Sequence, residues 1–263
     1  MNVVLLSDFS SASSHMLDYA GTLFKNQKVN FTILHIKAPC ESESCSGKCS
    51  VVFNQKLKKD RNLLELNGYH VDQIQLKFIE GAYIESIRNV IAEQHTDLIM
   101  LGNSNKGGYN TGLFFDKKTL EIITKVKCSV VLVPEESIIK LPQKALLPTD
   151  FSITSDYSIF NILTSLPFVN QTHLSLLPTG LNKTLGPNRK HSKELISKVI
   201  NSLEFKSVKE IYSTTKASCI EGFDLVMVMA KNLSIFQDLF STSQSSLCRP
   251  ETPILFLHDS RKL

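Results

Sequence analysis

A glycine-rich loop between two apolar segments is the strongest candidate for chemistry in this sequence. The apolar run at residues 98–101 is followed by Gly102, Gly107 and Gly108, and a second apolar run at 130–133 comes after a helical pattern. Strand, loop, helix and strand in this order predict a βαβ unit. Such loops bind phosphate where glycines let backbone N–H groups approach the anion and the next helix presents its electropositive N-terminus.

Two aspartates are further candidates, because each directly follows a predicted strand. Asp8 and Asp150 both stand in an Asp-Phe-Ser sequence. The carboxyl ends of strands are where open α/β sheets bind ligands. Each carboxylate has an alternative role as a cap of the following turn, together with Ser10 or Ser152.

Apolar strands alternate with amphipathic helices along the first half, and these elements would position the candidates. Residues 2–6, 31–36 and 73–79 predict strands, with helical apolar spacing between them. Short apolar runs without polar alternation are typical of strands that are buried on both faces. The sequence therefore predicts an α/β fold with a mostly parallel sheet.

The pattern of the first half returns in the second half. KALLPTDFS at 144–152 repeats the form of NVVLLSDFS at 2–10, and DLVMV at 224–228 repeats DLIML at 97–101. A third match relates TPILFL, ending at residue 257, to CSVVLV, ending at residue 133. Three matches in the same order predict an internal duplication, with domains at 1–140 and 141–263.

The Asp-Phe-Ser strand ends and the loop after Gly102 resemble the universal stress protein family. The family pattern of that loop is a glycine, two residues, a second glycine, nine residues and then Gly-Ser or Gly-Thr. Gly102 matches the first position, whereas Asn105 stands at the second glycine and Phe115 with Asp116 at the Gly-Ser pair. The chain thus resembles a family member whose nucleotide-binding motif is degenerate.

The resemblance covers nearly the whole chain and implies a tandem form. Two doubly wound domains, each with a mostly parallel five-stranded sheet, would be related by a pseudo-twofold as an intramolecular pseudo-dimer. The sheets would meet through their edge strands, so that residues 130–133 pair with residues 254–256 and two exposed edges are removed.

The departures from the family pattern predict that the protein has no tight ATP site and needs no cofactor. Phe115 adds bulk where a backbone should approach phosphate closely, and Asp116 places a carboxylate at the helix start, where it can cap the helix. No glycine follows Gly222, so the second half is not expected to bind ATP either. We therefore expect a non-enzymatic stress-response module that binds or regulates a partner.

An alternative keeps the nucleotide chemistry. In the family the aspartate that matches Asp8 lies by the nucleotide, and the resemblance would place Gly102, Gly107 and Gly108 with it at the rim of the site. The protein would then be a weak adenine-nucleotide-binding protein or an ATPase.

Cysteines make a third candidate. Cys40, Cys45 and Cys49 follow His35 in a Ser-rich segment, with spacings that differ from the Cys-x-x-Cys of common zinc sites. This pattern predicts a metal site for zinc or a redox sensor. The alternative is a linker whose thiols have no function.

Composition and charge limit the partners. The 263 residues are 42% hydrophobic and 21% charged, which is typical of a globular protein with ample core. The net charge is +4, and no basic run is interleaved with aromatic residues, so nucleic acid is not expected as a partner. No apolar stretch approaches membrane-spanning length, and the N-terminus predicts a strand rather than a signal peptide. We expect a cytoplasmic protein, with an unknown protein partner and with homo-oligomers left open.

Overall fold

The computed structural model describes residues 1–40, 48–104, 116–152, 157–179, 186–212, 222–233, 235 and 251–258. The strands are β1 (Asn2–Leu6), β2 (Asn30–Lys37), β3 (Ile74–Glu80), β4 (Leu98–Asn103), β5 (Ser129–Pro134), β6 (Lys144–Thr149), β7 (His173–Pro178), β8 (Ser207–Glu210), β9 (Leu225–Met229) and β10 (Ile254–Leu257). The α-helices are α1 (Ser11–Leu23), α2 (Lys48–Leu66), α3 (Tyr83–Gln94), α4 (Lys117–Lys125) and α5 (Pro187–Ser202). Short 3₁₀ helices lie at Val71–Gln73, Tyr157–Ser165, Val169–Gln171 and Ala230–Asn232.

The strands form one ten-stranded sheet in the order β3-β2-β1-β4-β5-β10-β9-β6-β7-β8. Neighbouring strands are parallel except for β5 and β10, which are antiparallel. The predicted α/β fold with a mostly parallel sheet is confirmed. The two sets of five strands lie side by side in this single sheet, joined through their edge strands.

The joint between the two sets of strands is the pair β5–β10. Ile254 lies opposite Leu132, Leu255 opposite Val131 and Phe256 opposite Val130. This is the pairing that the family resemblance implies between residues 130–133 and 254–256. Because each strand completes the hydrogen bonding of the other, neither is left as an edge of the sheet.

Apolar cores cover both faces of the sheet, which explains the continuous apolar runs in its strands. One core contains Met16 and Leu17 of α1 with Leu57 and Leu64 of α2. The other core contains residues of α3 and α4, including Ile87, Val90, Ile122 and Ile123. The helices of the first half therefore pack on opposite faces of the sheet, as the doubly wound pattern requires.

No helix within the described part of the chain has the length and apolar content that crossing a membrane requires.

Candidate functional site

A cavity of about 290 Å³ opens at the carboxyl ends of β1 and β4. The chain leaves β1 for α1 on one face of the sheet and leaves β4 for α4 on the other face. Adjacent parallel strands whose helices leave to opposite faces create a crevice, which is where open α/β sheets bind ligands. Its lining includes Asp8, His35, Tyr83, Gly102, Asp116 and Lys118.

Asp8 lies in a tight turn that begins α1. Its Oδ1 accepts a hydrogen bond from the Ser10 N–H at 3.0 Å. Burial of the Asp8 carboxylate opposes its ionisation, but hydrogen bonds from Ser10 and Ser13 outweigh burial and lower its pKa. Asp8 thus has the capping role that the sequence suggests, and it also presents a negative charge to the cavity.

The same turn occurs at the start of the second half. Phe9 has a φ of 63° and Phe151 has a φ of 56°. Asp150 Oδ1 accepts a hydrogen bond from Ser152 N–H at 3.0 Å, as Asp8 does from Ser10. The repeated Asp-Phe-Ser sequence therefore corresponds to a repeated backbone conformation, with a phenylalanine in the left-handed region that bulky residues rarely adopt.

A buried pair of side chains, Ser7 and Asp60, stabilises the turn that contains Asp8. Ser7 Oγ donates a hydrogen bond to Asp60 Oδ2 of α2 at 2.5 Å, and accepts one from Phe9 N–H at 3.1 Å. Burial raises the pKa of Asp60, and the hydrogen bond from Ser7 opposes this shift. Sequence reasoning missed both residues. The signal was present, since Asp60 lies on the apolar face of α2 that Phe53, Leu57 and Leu64 define.

Asp116 occupies the N-terminus of α4, on the opposite wall of the cavity. Its Oδ1 accepts a hydrogen bond from Thr119 N–H at 3.0 Å, and its Oδ2 accepts one from Thr119 Oγ1 at 2.7 Å. The prediction that Asp116 caps this helix is confirmed. A carboxylate therefore lies at the electropositive helix end where a phosphate would otherwise bind.

Gly102 lies in close contact with the first turn of α1. A Cβ atom on Gly102 would lie 2.3 Å from the carbonyl oxygen of Ala12 and 2.8 Å from Ser13 N. Close packing between β4 and α1 thus requires glycine here, whether or not the cavity holds a ligand.

Tyr83 and Lys118 form another part of the cavity wall. Lys118 Nζ lies 5.3 Å from the centre of the Tyr83 ring, in a cation–π contact. Burial and the negative charges of Asp116 and Asp8 raise the pKa of Tyr83 to about 12, so its hydroxyl stays protonated. No sequence pattern points to this pair, because their contact depends on how α3 packs beside α4.

Four rings form a cluster beside the cavity, under the start of α2. The His35 ring lies 4.3 Å from Phe9 and 4.7 Å from Phe53, and Phe53 lies 5.3 Å from Phe78, measured between centroids. His35 Nδ1 is 2.7 Å from Ser7 O, which fits an Nδ1–H donor. Lys56 Nζ lies 5.2 Å from the centre of the Phe9 ring. His35 is therefore held as part of an aromatic wall.

Two of the three candidate cysteines, Cys40 and Cys49, are in contact with each other. Cys40 Sγ and Cys49 Sγ are 3.8 Å apart, and Lys37 Nζ donates a hydrogen bond to Cys40 Sγ. Cys45 lies outside the described residues. Within those residues no group of three or more metal-binding side chains is assembled. His35 Nδ1 is hydrogen-bonded to the Ser7 carbonyl oxygen. The zinc alternative stays a prediction.

Several residues of the predicted nucleotide loop also lie outside the described residues. They are Asn105, Gly107, Gly108 and Phe115. Of the predicted rim, the structure brings Asp8 and Gly102 into one cavity, and adds Asp116 to them.

The fold and the cavity first define a class, an open α/β sheet with a crevice of small-molecule size at the carboxyl ends of its strands. The sequence profile of the universal stress protein family matches residues 1–134, which is more than half of the chain. The chain belongs to the universal stress protein family. No curated protein sequence matches it at a significant level.

Solved structures are similar to the whole chain. A universal stress protein from Archaeoglobus fulgidus is 16% identical over 98% of this chain and 98% of that one, with a TM-score of 0.63. The cytoplasmic domain of a prokaryotic cation chloride cotransporter is 9% identical over 98% of this chain and 95% of that one, with a TM-score of 0.54. A putative universal stress protein from Pseudomonas aeruginosa is 8% identical over 97% and 92%, with a TM-score of 0.51. These likenesses show a shared fold.

Proposed function

We propose that this protein is a non-catalytic, cytoplasmic stress-response module that binds or regulates a partner and has no tight ATP site. The observation that carries the proposal is the cap of α4. The Asp116 carboxylate already accepts the Thr119 N–H and hydroxyl hydrogen bonds that an incoming phosphate would need. A phosphate would have to displace a carboxylate that is tethered to the helix itself.

The negative charges that line the cavity also disfavour phosphate binding. Asp8 and Asp116 both line the cavity, and the pKa of Asp8 is lowered, so that carboxylate is ionised at neutral pH. A unit negative charge about 4 Å from a carboxylate costs about 4 kcal/mol at an effective dielectric constant of about 20. Lys118 offsets part of this repulsion, since it also lines the cavity and its ammonium lies over the Tyr83 ring. The balance disfavours a polyphosphate.

The polar groups beside the cavity support a role without catalysis. The Ser7 side chain is only 5% exposed, and its hydroxyl is held between Asp60 and the Phe9 N–H. His35 Nδ1 is directed to a backbone carbonyl. These polar groups therefore have structural partners within the fold.

A second candidate is weak adenine-nucleotide binding in the same cavity. The position of the cavity favours it, because Gly102 and the N-terminus of α4 lie where a phosphate loop would place them. Gly107 and Gly108 would complete the rim. In this case Asp116 sets the low affinity.

The two halves are proposed to form an intramolecular pseudo-dimer. Counted from each outer edge of the sheet, the first half has the order β3-β2-β1-β4-β5 and the second half the order β8-β7-β6-β9-β10. The antiparallel pairing of β5 with β10 is what a local twofold axis between them would produce. The matching turns at Phe9 and Phe151 support the same arrangement.

Replacing Asp116 tests the proposal. Asp116→Ser keeps a side chain that can cap α4 and removes the charge, so we expect it to bind magnesium-ATP about tenfold more tightly than the unmodified chain. Asp72→Ser is the matched control, since Asp72 is an exposed carboxylate remote from the cavity. Equal affinities of all three proteins would contradict the role of Asp116. ATP hydrolysis that is lost in Asp8→Asn would contradict the non-catalytic assignment.

A further inference from the structure

The contact between two cysteine sulfurs at the start of α2 has no part in the proposed ligand cavity. Cys40 follows the end of β2, and Cys49 is the second residue of α2. Their Sγ atoms are 3.8 Å apart, although the residues are nine positions apart in the chain. Both side chains are partly exposed, so a small oxidant in solution can reach them. The two sulfurs are in van der Waals contact, and a disulfide requires them to approach to about 2.05 Å.

Lys37 is in direct contact with one of the two sulfurs. Its ammonium donates a hydrogen bond to Cys40 Sγ. That hydrogen bond raises the pKa of Lys37, so the positive charge persists at neutral pH. An ammonium beside a thiol stabilises the negative charge that the sulfur carries when it acts as a nucleophile. The contact with Lys37 assigns Cys40 as the attacking sulfur, and Cys49 is the second sulfur with which it forms the disulfide.

We propose that Cys40 and Cys49 are a reversible modification site, in which a peroxide oxidises the pair to a disulfide. Cys40 sulfur attacks one peroxide oxygen, the O–O bond breaks, and Cys40 sulfenic acid and one water are formed. Cys49 sulfur then attacks the sulfenic sulfur, the S–O bond breaks, and a second water leaves as the S–S bond forms. The two thiols lose two electrons and two protons, and the peroxide gains them.

The disulfide would act on the wall of the cavity. Phe53 lies one helical turn after Cys49 and stacks on His35, while Lys56 lies over Phe9. A bond from Cys49 to the end of β2 would tie the first turn of α2 to the strand that carries His35. Oxidation therefore fixes the aromatic wall beside Asp8, and reduction releases it.

The test uses the full-length chain with Cys219 and Cys248 changed to serine, and hydrogen peroxide as the oxidant. Peptide mapping without reductant should find residues 40 and 49 joined, with the loss of two hydrogens, and dithiothreitol should reverse the change. Cys49→Ser should instead accumulate Cys40 sulfenic acid, which a 1,3-diketone probe traps. Lys37→Met should slow the oxidation about fivefold. The thermal midpoint of the oxidised chain should rise by about 5 °C, because the bond closes a loop of about ten residues.

Two other thiols serve as controls. Cys45→Ser should keep the joined peptide and its rate of formation. Cys128 is buried, and burial raises its pKa to about 12, so it should stay unmodified at the same peroxide dose. A disulfide that includes Cys45, or oxidation of Cys40 to sulfinic acid without a joined peptide, would overturn the proposal. Equal oxidation rates in the Lys37→Met variant and in the chain that keeps Lys37 would also overturn the proposal.

Discussion

Gly102 and Ala12 are in backbone contact, so that a Cβ atom on Gly102 would lie 2.3 Å from the Ala12 carbonyl oxygen. The atom that it would meet belongs to the backbone of α1 and has no freedom to rotate away. The glycine that begins the candidate ligand loop is therefore required by the packing of β4 against α1. A glycine at this position is not by itself a sign of phosphate binding.

Gly102→Ala should lower the free energy of unfolding by about 1–3 kcal/mol, because β4 and α1 must separate to admit the methyl group. Urea denaturation followed by circular dichroism measures this change. Gly186→Ala is the control, since no atom of the described residues, its chain neighbours aside, lies within 4 Å of a Cβ there. Its cost should stay below about 1 kcal/mol, the value of a weakened helix N-cap. Equal losses in the two variants would contradict the packing account.

Ser7→Ala should destabilise the fold by about 2–3 kcal/mol, because it leaves the buried Asp60 carboxylate without its hydrogen bond and the Phe9 N–H without an acceptor. A double-mutant cycle with Asp60→Asn should show a coupling of at least about 1 kcal/mol. Thr149→Ala is the matched variant in the second half, where Thr149 Oγ1 accepts the Phe151 N–H in the same turn. Thr149→Ala should lower the free energy of unfolding by about 1 kcal/mol. Strict additivity in the cycle would show that Ser7 and Asp60 do not act together.

His35 should make the stability depend on pH. Burial lowers its pKa below the ordinary value of 6.5, although the hydrogen bond to Ser7 and the charge of Asp8 favour protonation. The unfolded chain therefore takes up the proton first as the pH falls. The contribution of His35 to stability is fully present above pH 6.5 and declines below it, until the folded protein is protonated too. Thermal midpoints from pH 7.5 to pH 5 measure this decline.

His35→Phe keeps an aromatic ring in the cluster and removes the titrating group, so its thermal midpoint should vary less over that pH range. His191→Gln is the control because His191 is exposed on α5, and it should follow the unmodified chain. A His35→Phe profile parallel to that of the unmodified chain would assign the pH dependence to other groups.

Residues 1–140 expressed alone should fold and form a homodimer. Removal of the second half leaves β5 without β10, and an apolar strand edge of this kind pairs with another copy. Light scattering on the purified fragment measures its mass. Val131→Lys, at the centre of the β5–β10 pairing, should shift the fragment toward monomer. A fragment that does not fold would show that residues 1–140 are not a domain by themselves.

Features that depend on a short segment or on a repeat could be predicted from the sequence. The Asp116 cap follows from an aspartate directly before a helical pattern, and the structure confirms it. The pairing of β5 with β10 was implied by the family resemblance, and the structure contains it. That pairing joins the two sets of strands, so the single ten-stranded sheet follows from the same expectation.

The contacts that shape the site depend on residues that are distant in sequence. Ser7 and Asp60 are 53 positions apart, and periodicity predicts that Asp60 faces inward without naming its partner. The aromatic wall brings together Phe9, His35, Phe53 and Phe78 from four different segments. Such contacts depend on how α2 packs on the sheet, and local sequence patterns do not predict that packing.

Calorimetric titration of the unmodified chain with magnesium-ATP tests the central claim most directly. If the Asp116 cap and the two carboxylates exclude a polyphosphate, the dissociation constant should be about 1 mM or weaker, equivalent to about 4 kcal/mol of binding free energy. The double variant Phe115→Gly with Asp116→Ser should bind measurably more tightly. Micromolar affinity in the unmodified chain would contradict the claim.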